Sequence, residues 1–313
     1  MRREKDPFEI IEFRRKINKK KVFFTIFIVL VLIAGCVYLG VKAALEQHEK
    51  DKIEEAKLQM EEQKRLEEKR LEEEKRLEQE KLVKQEEEKK LKAEKPLTEE
   101  QIQAIDDIYN SNEKRVFLTF DDGPTESVTP FILDLLKQEN IKATFFVLGN
   151  RVKENPELIQ REYNEGHYIA NHGYTHRYSQ IYQNEQTVLD EYNYTNDAIR
   201  EALNKPNYNS GVFRFPGGSN GGPYDDVKQV AKQYLRDNSI ASLDWNCLSR
   251  DAEGANTKEE LFENVLDTLG EKQNVVILMH DASDKILTYE ILPDIINYLR
   301  ENGYKFMNLY DII

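Results

Sequence analysis

The hydrophobic positions follow a different pattern in each part of the chain. Residues 22–41 form an apolar run without a charged side chain, whereas residues 42–95 are rich in Glu, Lys, Arg, Gln and Leu and contain no Gly or Pro. From residue 115 onward, short apolar runs alternate with amphipathic segments. The pattern predicts a membrane-spanning helix, a long charged helix and an α/β domain.

These changes of pattern divide the chain into five segments. We expect a basic N-terminus, an apolar anchor, a charged helical stalk, a linker with a short helix and an outer domain, at residues 1–21, 22–41, 42–95, 96–112 and 113–313. Within the linker, Thr98 with Gln101 three residues later predicts a capped helix that continues to about residue 110.

The apolar run is long enough to cross a membrane. Twenty helical residues span ~30 Å, the thickness of the hydrocarbon core of a bilayer. Basic residues immediately precede the run, so the positive-inside rule predicts a single-pass protein of the cell membrane, with a cytoplasmic N-terminus and an extracellular remainder. A cleaved signal peptide is the alternative, but its apolar region is usually only ~7–15 residues long.

A lipid anchor is a second alternative. Residues 33–36 read Ile-Ala-Gly-Cys, which resembles the lipidation box of bacterial lipoproteins, with Cys36 as the modified residue. The apolar run continues beyond Cys36, where lipoproteins turn polar, and its length favours an uncleaved anchor. The uncleaved anchor and the lipid anchor both place the rest of the chain outside the cell.

The charged stalk is predicted to be a solvated single helix. Its residues are strong helix formers, and many Glu side chains stand four residues before a Lys or Arg. A coiled coil needs apolar residues alternating three and four apart, whereas Leu66, Leu71, Leu77 and Leu82 step by five and six. A fully helical stalk would reach ~80 Å. The alternatives are a partly frayed linker and a weak self-associating seam.

The outer domain is predicted to alternate strands with helices. We expect strands at residues 115–120, 143–148, 168–170, 211–215, 240–243, 275–279 and 306–309. We expect helices at residues 128–139, 156–165, 185–203, 224–236, 258–269 and 288–301. Seven strands joined by helices predict a parallel sheet or barrel, in which chemistry collects where the strands end.

Charge excludes one class of function. Residues 97–313 carry sixteen more acidic than basic side chains, whereas a nucleic-acid-binding surface is basic. We therefore expect no nucleic-acid partner. With only two cysteines in the chain, a disulfide scaffold is excluded as well.

Polar residues follow the first and third predicted strands. Asp121 and Asp122 form an adjacent carboxylate pair, and His172 and His176 are spaced so that both imidazoles can approach one ion. Isolated acid or histidine pairs are usually solvated surface. Together, however, Asp122 and the two histidines supply a two-His, one-carboxylate metal site.

Two further strand ends carry polar residues. Arg214, at the end of the fourth strand, can hold a carboxylate, and the Pro and Gly residues after it leave backbone N–H groups unobstructed. His280 ends a very apolar strand, where a lone histidine could also be a buried structural residue. Its place at the same edge as the other motifs favours a function.

The motifs together resemble a known family. TFDDGP at 119–124, the His172-x-x-x-His176 pair, RFPGG at 214–218 and LMH at 278–280 are similar to the polysaccharide deacetylase (NodB-homology) family. The resemblance covers about residues 113–313. It implies a distorted (β/α) barrel and metal-dependent removal of acetyl groups from sugars.

The resemblance implies a role for each motif residue. Asp122, His172 and His176 would bind a divalent metal, usually zinc, with Co²⁺ also possible. Asp121 would be the general base for the attacking water, and His280 would protonate the leaving amine.

Other residues would complete this site. Arg214 would pair with Asp121 and keep it ionised, and the Gly217 N–H would stabilise the oxyanion. Leu278 would line the pocket for the acetyl methyl group, and Trp245 is expected to line the substrate groove. Because position 217 is often aromatic in the family, Gly217 is expected to open that part of the groove.

One stretch departs from the family pattern. Where relatives often read W-D-V-D-S-x-D-W, this chain has Trp245 followed by Asn-Cys-Leu-Ser-Arg-Asp-Ala. Asp251 occupies the second acid position and is expected to orient His280, with Asp244 as a rival. Leu248 and Ala252 replace the first acid and the final tryptophan, which changes the expected shape of the groove.

The expected activity is deacetylation of a cell-wall glycan, most simply at the N-acetylglucosamine of peptidoglycan. The enzymatic alternatives are N-acetylmuramic acid, poly-N-acetylglucosamine and acetylxylan. An alternative of another class is a non-catalytic wall-binding or scaffold protein, which would be expected to lack a metal ligand or the base.

Overall fold

The computed structural model describes residues 7–313, with the side chains at positions 7, 9–11 and 17 left out. The predicted basic N-terminus at residues 1–21 therefore lies partly outside the described residues. The chain divides into two units, Met1–Lys81 and Leu82–Ile313. The five predicted segment boundaries stay a prediction.

Helix α1 spans Pro7–Lys92 and contains the apolar run and almost all of the predicted stalk. One 18-residue window of it has a mean hydropathy of 2.9 and is not buried in the protein, so the helix is long and apolar enough to cross a membrane. A signal sequence near an N-terminus meets the same criterion. In the charged part, exposed pairs such as Glu73–Arg76 and Arg76–Glu80 follow helical spacing.

The second unit alternates helices and strands as predicted. After α1, its helices are α2 (Glu99–Asp106), α3 (Thr129–Gln138), α4 (Gly149–Glu154), α5 (Pro156–Asn164), α6 (Tyr178–Ile181), α7 (Glu185–Leu203), α8 (Asp225–Asp237), α9 (Lys258–Leu269) and α10 (Ile286–Glu301). Its strands are β1 (Arg115–Asp121), β2 (Thr144–Val147), β3 (Tyr168–Asn171), β4 (Val212–Phe213), β5 (Ala241–Ser242), β6 (Cys247–Leu248), β7 (Asn274–His280) and β8 (Lys305–Met307). A 3₁₀ turn, Leu309–Asp311, follows β8.

The strands form one parallel sheet in the order β5-β4-β3-β2-β1-β7-β6. Strand β7 pairs with β1 along its whole length, so β2 and β8 share the other edge of β1. The sheet curls into a distorted barrel, which confirms the predicted fold class. Because the strands are parallel, their carboxyl ends meet at one rim, where the motif residues lie.

Buried apolar side chains on both faces of the sheet explain its stability. Strand β1 is buried from Val116 to Asp121, as expected for a central parallel strand covered by helices. The segment before β1 contributes as well, because Leu97, Ile102 and Ile105 lie in the same core. Helix α2 begins with the predicted capping box of Thr98 and Gln101.

The sequence pattern missed three short elements. Strand β6 and helices α4 and α6 are two, six and four residues long. Elements of this length are too short to show a hydrophobic period, and tertiary contacts decide their conformation.

Candidate active site

Asp121 and His280 are neighbours across the sheet. Each is the last residue of its strand, and the parallel register of β1 and β7 pairs them directly. Asp121 is buried, and His280 is partly buried. The sheet itself thus brings a carboxylate and an imidazole to the same point.

The three predicted metal ligands come together beside this pair. Asp122 Oδ1 lies 3.3 Å from His176 Nε2 and 3.6 Å from His172 Nε2. Their three ligand atoms all lie within 4.8 Å of one another. Asp122 and His176 both have positive φ angles, 73° and 55°, which are unusual for residues other than Gly. Such backbone strain is typical of functional sites.

The donor set fits a divalent cation. Asp122 Oδ1 is buried and accepts no hydrogen bond in the described part of the chain, so this oxygen is available as a ligand. Ligand atoms around a tetrahedral Zn²⁺, each ~2.0–2.2 Å from the ion, lie about 3.4 Å apart. Two imidazoles and one carboxylate leave further positions for water or substrate.

Neighbouring groups fix the protonation state of His172. Its Nδ1 lies 2.8 Å from the Arg214 carbonyl oxygen, which can only accept, so Nδ1 carries the proton. Burial lowers the pKa of His172 to about 3, against the opposing effect of Asp122. The imidazole is therefore neutral, and the Nε2 lone pair faces Asp122 and His176, as a metal ligand requires.

A buried carboxylate on α7 holds the loop between the two histidines. Glu191 Oε2 accepts hydrogen bonds from the backbone N–H groups of Tyr174 and Thr175, at 2.6 and 2.7 Å. Its Oε1 accepts from the Thr175 hydroxyl at 2.9 Å. The N–H of Gly173 donates to Asn171 Oδ1, so Asn171 supports the same loop. Nothing in the local sequence indicated that Glu191 would reach this loop.

Arg214 is fully buried beneath the carboxylates. Its Nη1 donates to Asp121 Oδ1 at 2.7 Å and to Thr119 Oγ1 at 2.8 Å, and Nε donates to the Leu243 carbonyl. The guanidinium also lies over the Phe146 ring, 3.8 Å from its centroid. Burial raises the pKa of Asp121, and the Arg214 charge opposes that rise. Of the two oxygens of the Asp121 side chain, Oδ1 is thus held by the hydrogen bond from Arg214.

His280 pairs with Asp251. Its Nδ1 lies 2.8 Å from Asp251 Oδ1, and Asp251 Oδ2 accepts from the His280 N–H and from the Thr288 hydroxyl, both at 2.8 Å. Burial disfavours the imidazolium, but the hydrogen bond and charge of Asp251, together with the charges of Asp121 and Asp122, outweigh burial and raise the pKa of His280 to about 9. Asp244, the rival for this position, instead accepts hydrogen bonds from Ser219.

A cleft of about 320 Å³ opens above these residues. It is lined by Asp121, Asp122, His172, His176, Tyr178, Gly217, Trp245, Leu248, Arg250, Asp251, Ala252, Glu253, Leu278 and His280. The structure therefore gathers around one cleft every motif residue that the sequence singled out except Arg214, which lies buried below it.

The expectation that Gly217 opens the groove is wrong. Gly217 has a φ of 77°, and a Cβ atom built there would lie 2.7 Å from the Tyr178 hydroxyl oxygen. The Tyr178 ring from α6 therefore fills the space that a side chain at position 217 would take. Sequence reasoning missed this because only the fold brings the two residues together.

Asp281 is a third residue that the sequence motifs did not single out. Its backbone N–H donates to the Asp121 carbonyl, and its Oδ2 accepts from the Thr129 hydroxyl at 2.5 Å. It packs against Gly123 so closely that a Cβ there would collide with the carboxylate. Burial raises the pKa of Asp281 to about 7. Through its contacts with Asp121 and Gly123, Asp281 supports the turn that carries Asp122.

Comparison with known proteins identifies the family. The sequence model described as polysaccharide deacetylase matches residues 109–236. Over 204 residues, the chain is 36% identical to a peptidoglycan-N-acetylglucosamine deacetylase of Bacillus cereus, which covers 63% of this chain and 70% of that protein. The chain belongs to the polysaccharide deacetylase family. The resemblance drawn from the motifs is thereby confirmed.

Solved structures of polysaccharide deacetylase relatives share this fold. A CE4 esterase of Streptococcus mutans matches with a TM-score of 0.61 and 33% identity, covering 69% of this chain and 93% of that one. The catalytic domain of a peptidoglycan N-acetylglucosamine deacetylase from Eubacterium rectale matches with a TM-score of 0.56 and 31% identity, covering 64% and 90%. About a third of this chain lies outside each of the two comparisons.

Proposed function

We propose that the chain is a membrane-anchored, metal-dependent deacetylase that hydrolyses the N-acetyl group of N-acetylglucosamine in peptidoglycan and releases acetate. One observation carries the proposal: an unpartnered carboxylate and two imidazoles lie beside Asp121 at the rim of one cleft. The named activity of the Bacillus cereus relative supports the choice of substrate.

Asp122, His172 and His176 would hold the cation. When bound, a divalent metal supplies a Lewis acid that lowers the pKa of water and polarises a carbonyl oxygen. Two imidazoles and a carboxylate suit Zn²⁺, and Co²⁺ accepts the same ligands. We propose zinc as the ion, with cobalt as the alternative.

Asp121 would act as the general base. Its Oδ1 is held by Arg214, whereas Oδ2 lies 3.7 Å from His172 Nε2, on the side of the metal ligands. Burial raises the pKa of this carboxyl, which makes the carboxylate a stronger base. Oδ2 would accept a proton from the water that attacks the acetyl carbon.

His280 would act as the general acid. Because Nδ1 is engaged by Asp251, the proton available to the substrate is the one on Nε2. A pKa of about 9 keeps the ring protonated at neutral pH. As the amide C–N bond breaks, Nε2 would protonate the leaving amine, and the Gly217 N–H would donate to the oxyanion that precedes this step. Amide and water thus become amine and acetate.

The remaining cleft residues would bind the sugar. Leu278 would contact the acetyl methyl group, and Trp245 would offer an aromatic wall. Trp245 also packs against the guanidinium of Arg214, which lies 5.7 Å from the Trp245 ring centroid. The cleft wall is therefore in contact with the arginine that holds the proposed base.

We propose that α1 anchors the enzyme in the cell membrane through residues 22–41, with the N-terminus in the cytoplasm and the deacetylase domain outside. The uncharged run and the basic residues before it support this topology. Lipidation at Cys36 is the alternative anchor, and weak self-association is the alternative to a solvated single-helix stalk.

Acetate release from purified peptidoglycan, chitooligosaccharides, poly-N-acetylglucosamine and acetylated xylan tests the proposal. We expect release from peptidoglycan, with free amino groups appearing on glucosamine and not on muramic acid. Release from acetylxylan alone would replace the substrate. No release from any acetylated glycan would support the non-catalytic alternative.

A further inference from the structure

Tyr178 belongs to the wall of the cleft, although no motif of the sequence includes it. It begins α6, two residues after His176, and its ring meets the His176 ring edge-on at 5.6 Å between centroids. The side chain is 39% exposed and lines the cleft. A large aromatic side chain next to a ligand residue is therefore open to whatever enters the cleft.

The Tyr178 side chain lies against the backbone of Gly217, where there is no room for a Cβ atom. The Tyr178 hydroxyl oxygen and ring carbons lie 2.7–3.2 Å from where a Cβ of residue 217 would be. The ring therefore covers the backbone whose N–H is proposed to bind the oxyanion. A substrate acetyl group at Gly217 and the sugar that carries it must pass beside this ring.

Structural support in this region comes from another tyrosine. Tyr182 is 2% exposed, and its hydroxyl donates to the Pro216 carbonyl at 2.7 Å, so it holds the turn before Gly217. By contrast, no hydrogen bond involves the Tyr178 hydroxyl among the described residues. The Tyr178 ring also contacts the Tyr182 ring, with centroids 5.8 Å apart.

We propose that Tyr178 is a substrate-contacting residue that selects N-acetylated hexosamine chains over smaller acetyl compounds. The inference rests on the proposed function and deepens it. The ring would pack against the C–H face of the sugar that carries the acetamide, and the hydroxyl would exchange hydrogen bonds with its polar substituents. A phenol suits this position because it combines an apolar face with a polar tip.

The test compares two substrates that both release acetate, a chitooligosaccharide amide and a small aryl ester without a sugar. The full-length chain, loaded with zinc, is assayed for acetate release from chitopentaose and from 4-nitrophenyl acetate. The variants are Tyr178→Ala, which removes the ring, and Tyr178→Phe, which removes only the hydroxyl. The matched control is Tyr194→Ala, because Tyr194 is a 58% exposed tyrosine on α7 that does not line the cleft.

Loss of an aromatic contact of ~0.5–1.5 kcal/mol changes an equilibrium by up to about tenfold. We therefore expect Tyr178→Ala to lower the ratio of kcat/KM for chitopentaose to that for the aryl ester by about tenfold, chiefly through KM. Tyr178→Phe should lower it by about threefold, and Tyr194→Ala should leave it unchanged.

If Tyr178→Ala leaves this ratio of kcat/KM values unchanged, the inference is overturned. An unchanged ratio with an equal loss of kcat/KM on both substrates would indicate a merely structural role. A wild-type protein that cleaves the aryl ester but releases no acetate from chitopentaose or peptidoglycan would refute the proposed function, and the inference with it.

Discussion

Asp121 and His280 are register partners at the ends of two adjacent parallel strands, and each is held by an oppositely charged side chain from another part of the chain. Arg214 holds Asp121 at 2.7 Å, and Asp251 holds His280 at 2.8 Å. The two proton-transfer groups of the proposed mechanism are therefore positioned by the sheet and tuned by separate partners. Their functions can be tested separately.

Asp121→Asn is expected to keep the metal but to lose about 10²–10⁴-fold in kcat, because general-base catalysis contributes that much. Asparagine can still accept the Arg214 hydrogen bond, so the fold is retained. His172→Ala should lose both metal and activity. Metal analysis of the purified variants, together with acetate release, checks both. An Asp121→Asn protein with full activity would remove the proposed base.

Asp251→Asn is expected to change the pH dependence of activity. Among the groups that raise the pKa of His280 to about 9, Asp251 has the largest effect, so its removal lowers that pKa although Asp121 and Asp122 still oppose burial. Activity that needs protonated His280 is lost as pH rises through this pKa. The basic limb of the kcat/KM profile should therefore move to lower pH by at least about one unit. Asp244→Asn is the control, and an equal shift in it would contradict the assignment.

The same pair should affect stability with a defined sign. The pKa of His280 is higher in the folded state than the ordinary value of 6.5, so protonation stabilises the folded protein. This contribution is complete below about pH 6.5 and is lost as pH rises through about 9. Thermal denaturation of wild type and His280→Gln should differ more at pH 6 than at pH 10. A difference that grows with pH would contradict the pairing.

Glu191→Gln is expected to weaken metal binding about 10–100-fold, because residues that support metal ligands typically have effects of this size. The carboxylate holds the loop between His172 and His176 through three hydrogen bonds. Titration with zinc and a competing chelator measures the affinity. Glu201→Gln, an exposed position on the same helix, is the control. Equal affinities in the two variants would refute the role of Glu191.

Gly123→Ala is expected to destabilise the protein by about 1–3 kcal/mol, the usual cost of overpacking. The added methyl group would collide with the buried Asp281 carboxylate. Denaturation of the single variants and of the double variant with Asp281→Ala forms a double-mutant cycle. The two effects should be strongly coupled, and simple additivity would show that the collision is not the cause.

Long periodic segments and rare motifs made much of this fold predictable from sequence. Strands β1 and β7 are seven residues long with largely apolar interiors, and α7 carries a clear amphipathic period, so their positions could be predicted from the pattern. The common location of the motif residues could then be predicted, because the carboxyl ends of parallel strands meet at one rim.

The remainder depended on contacts between residues distant in the chain. Tyr178 and Gly217 are separated by almost forty residues, and Glu191 reaches the loop between His172 and His176 from the middle of a helix. No local pattern encodes such contacts. The sequence also left Asp251 and Asp244 as rivals for His280, and only side-chain geometry separates them.

The central claim is that Asp122, His172 and His176 hold a cation on which hydrolysis depends. The most direct test measures acetate release from purified peptidoglycan by the full-length chain before and after removal of metal with a chelator, and after Zn²⁺ or Co²⁺ is restored. We expect that release stops on chelation, returns with either ion, and is absent throughout in His172→Ala. Undiminished release from the chelated, metal-free protein would contradict it.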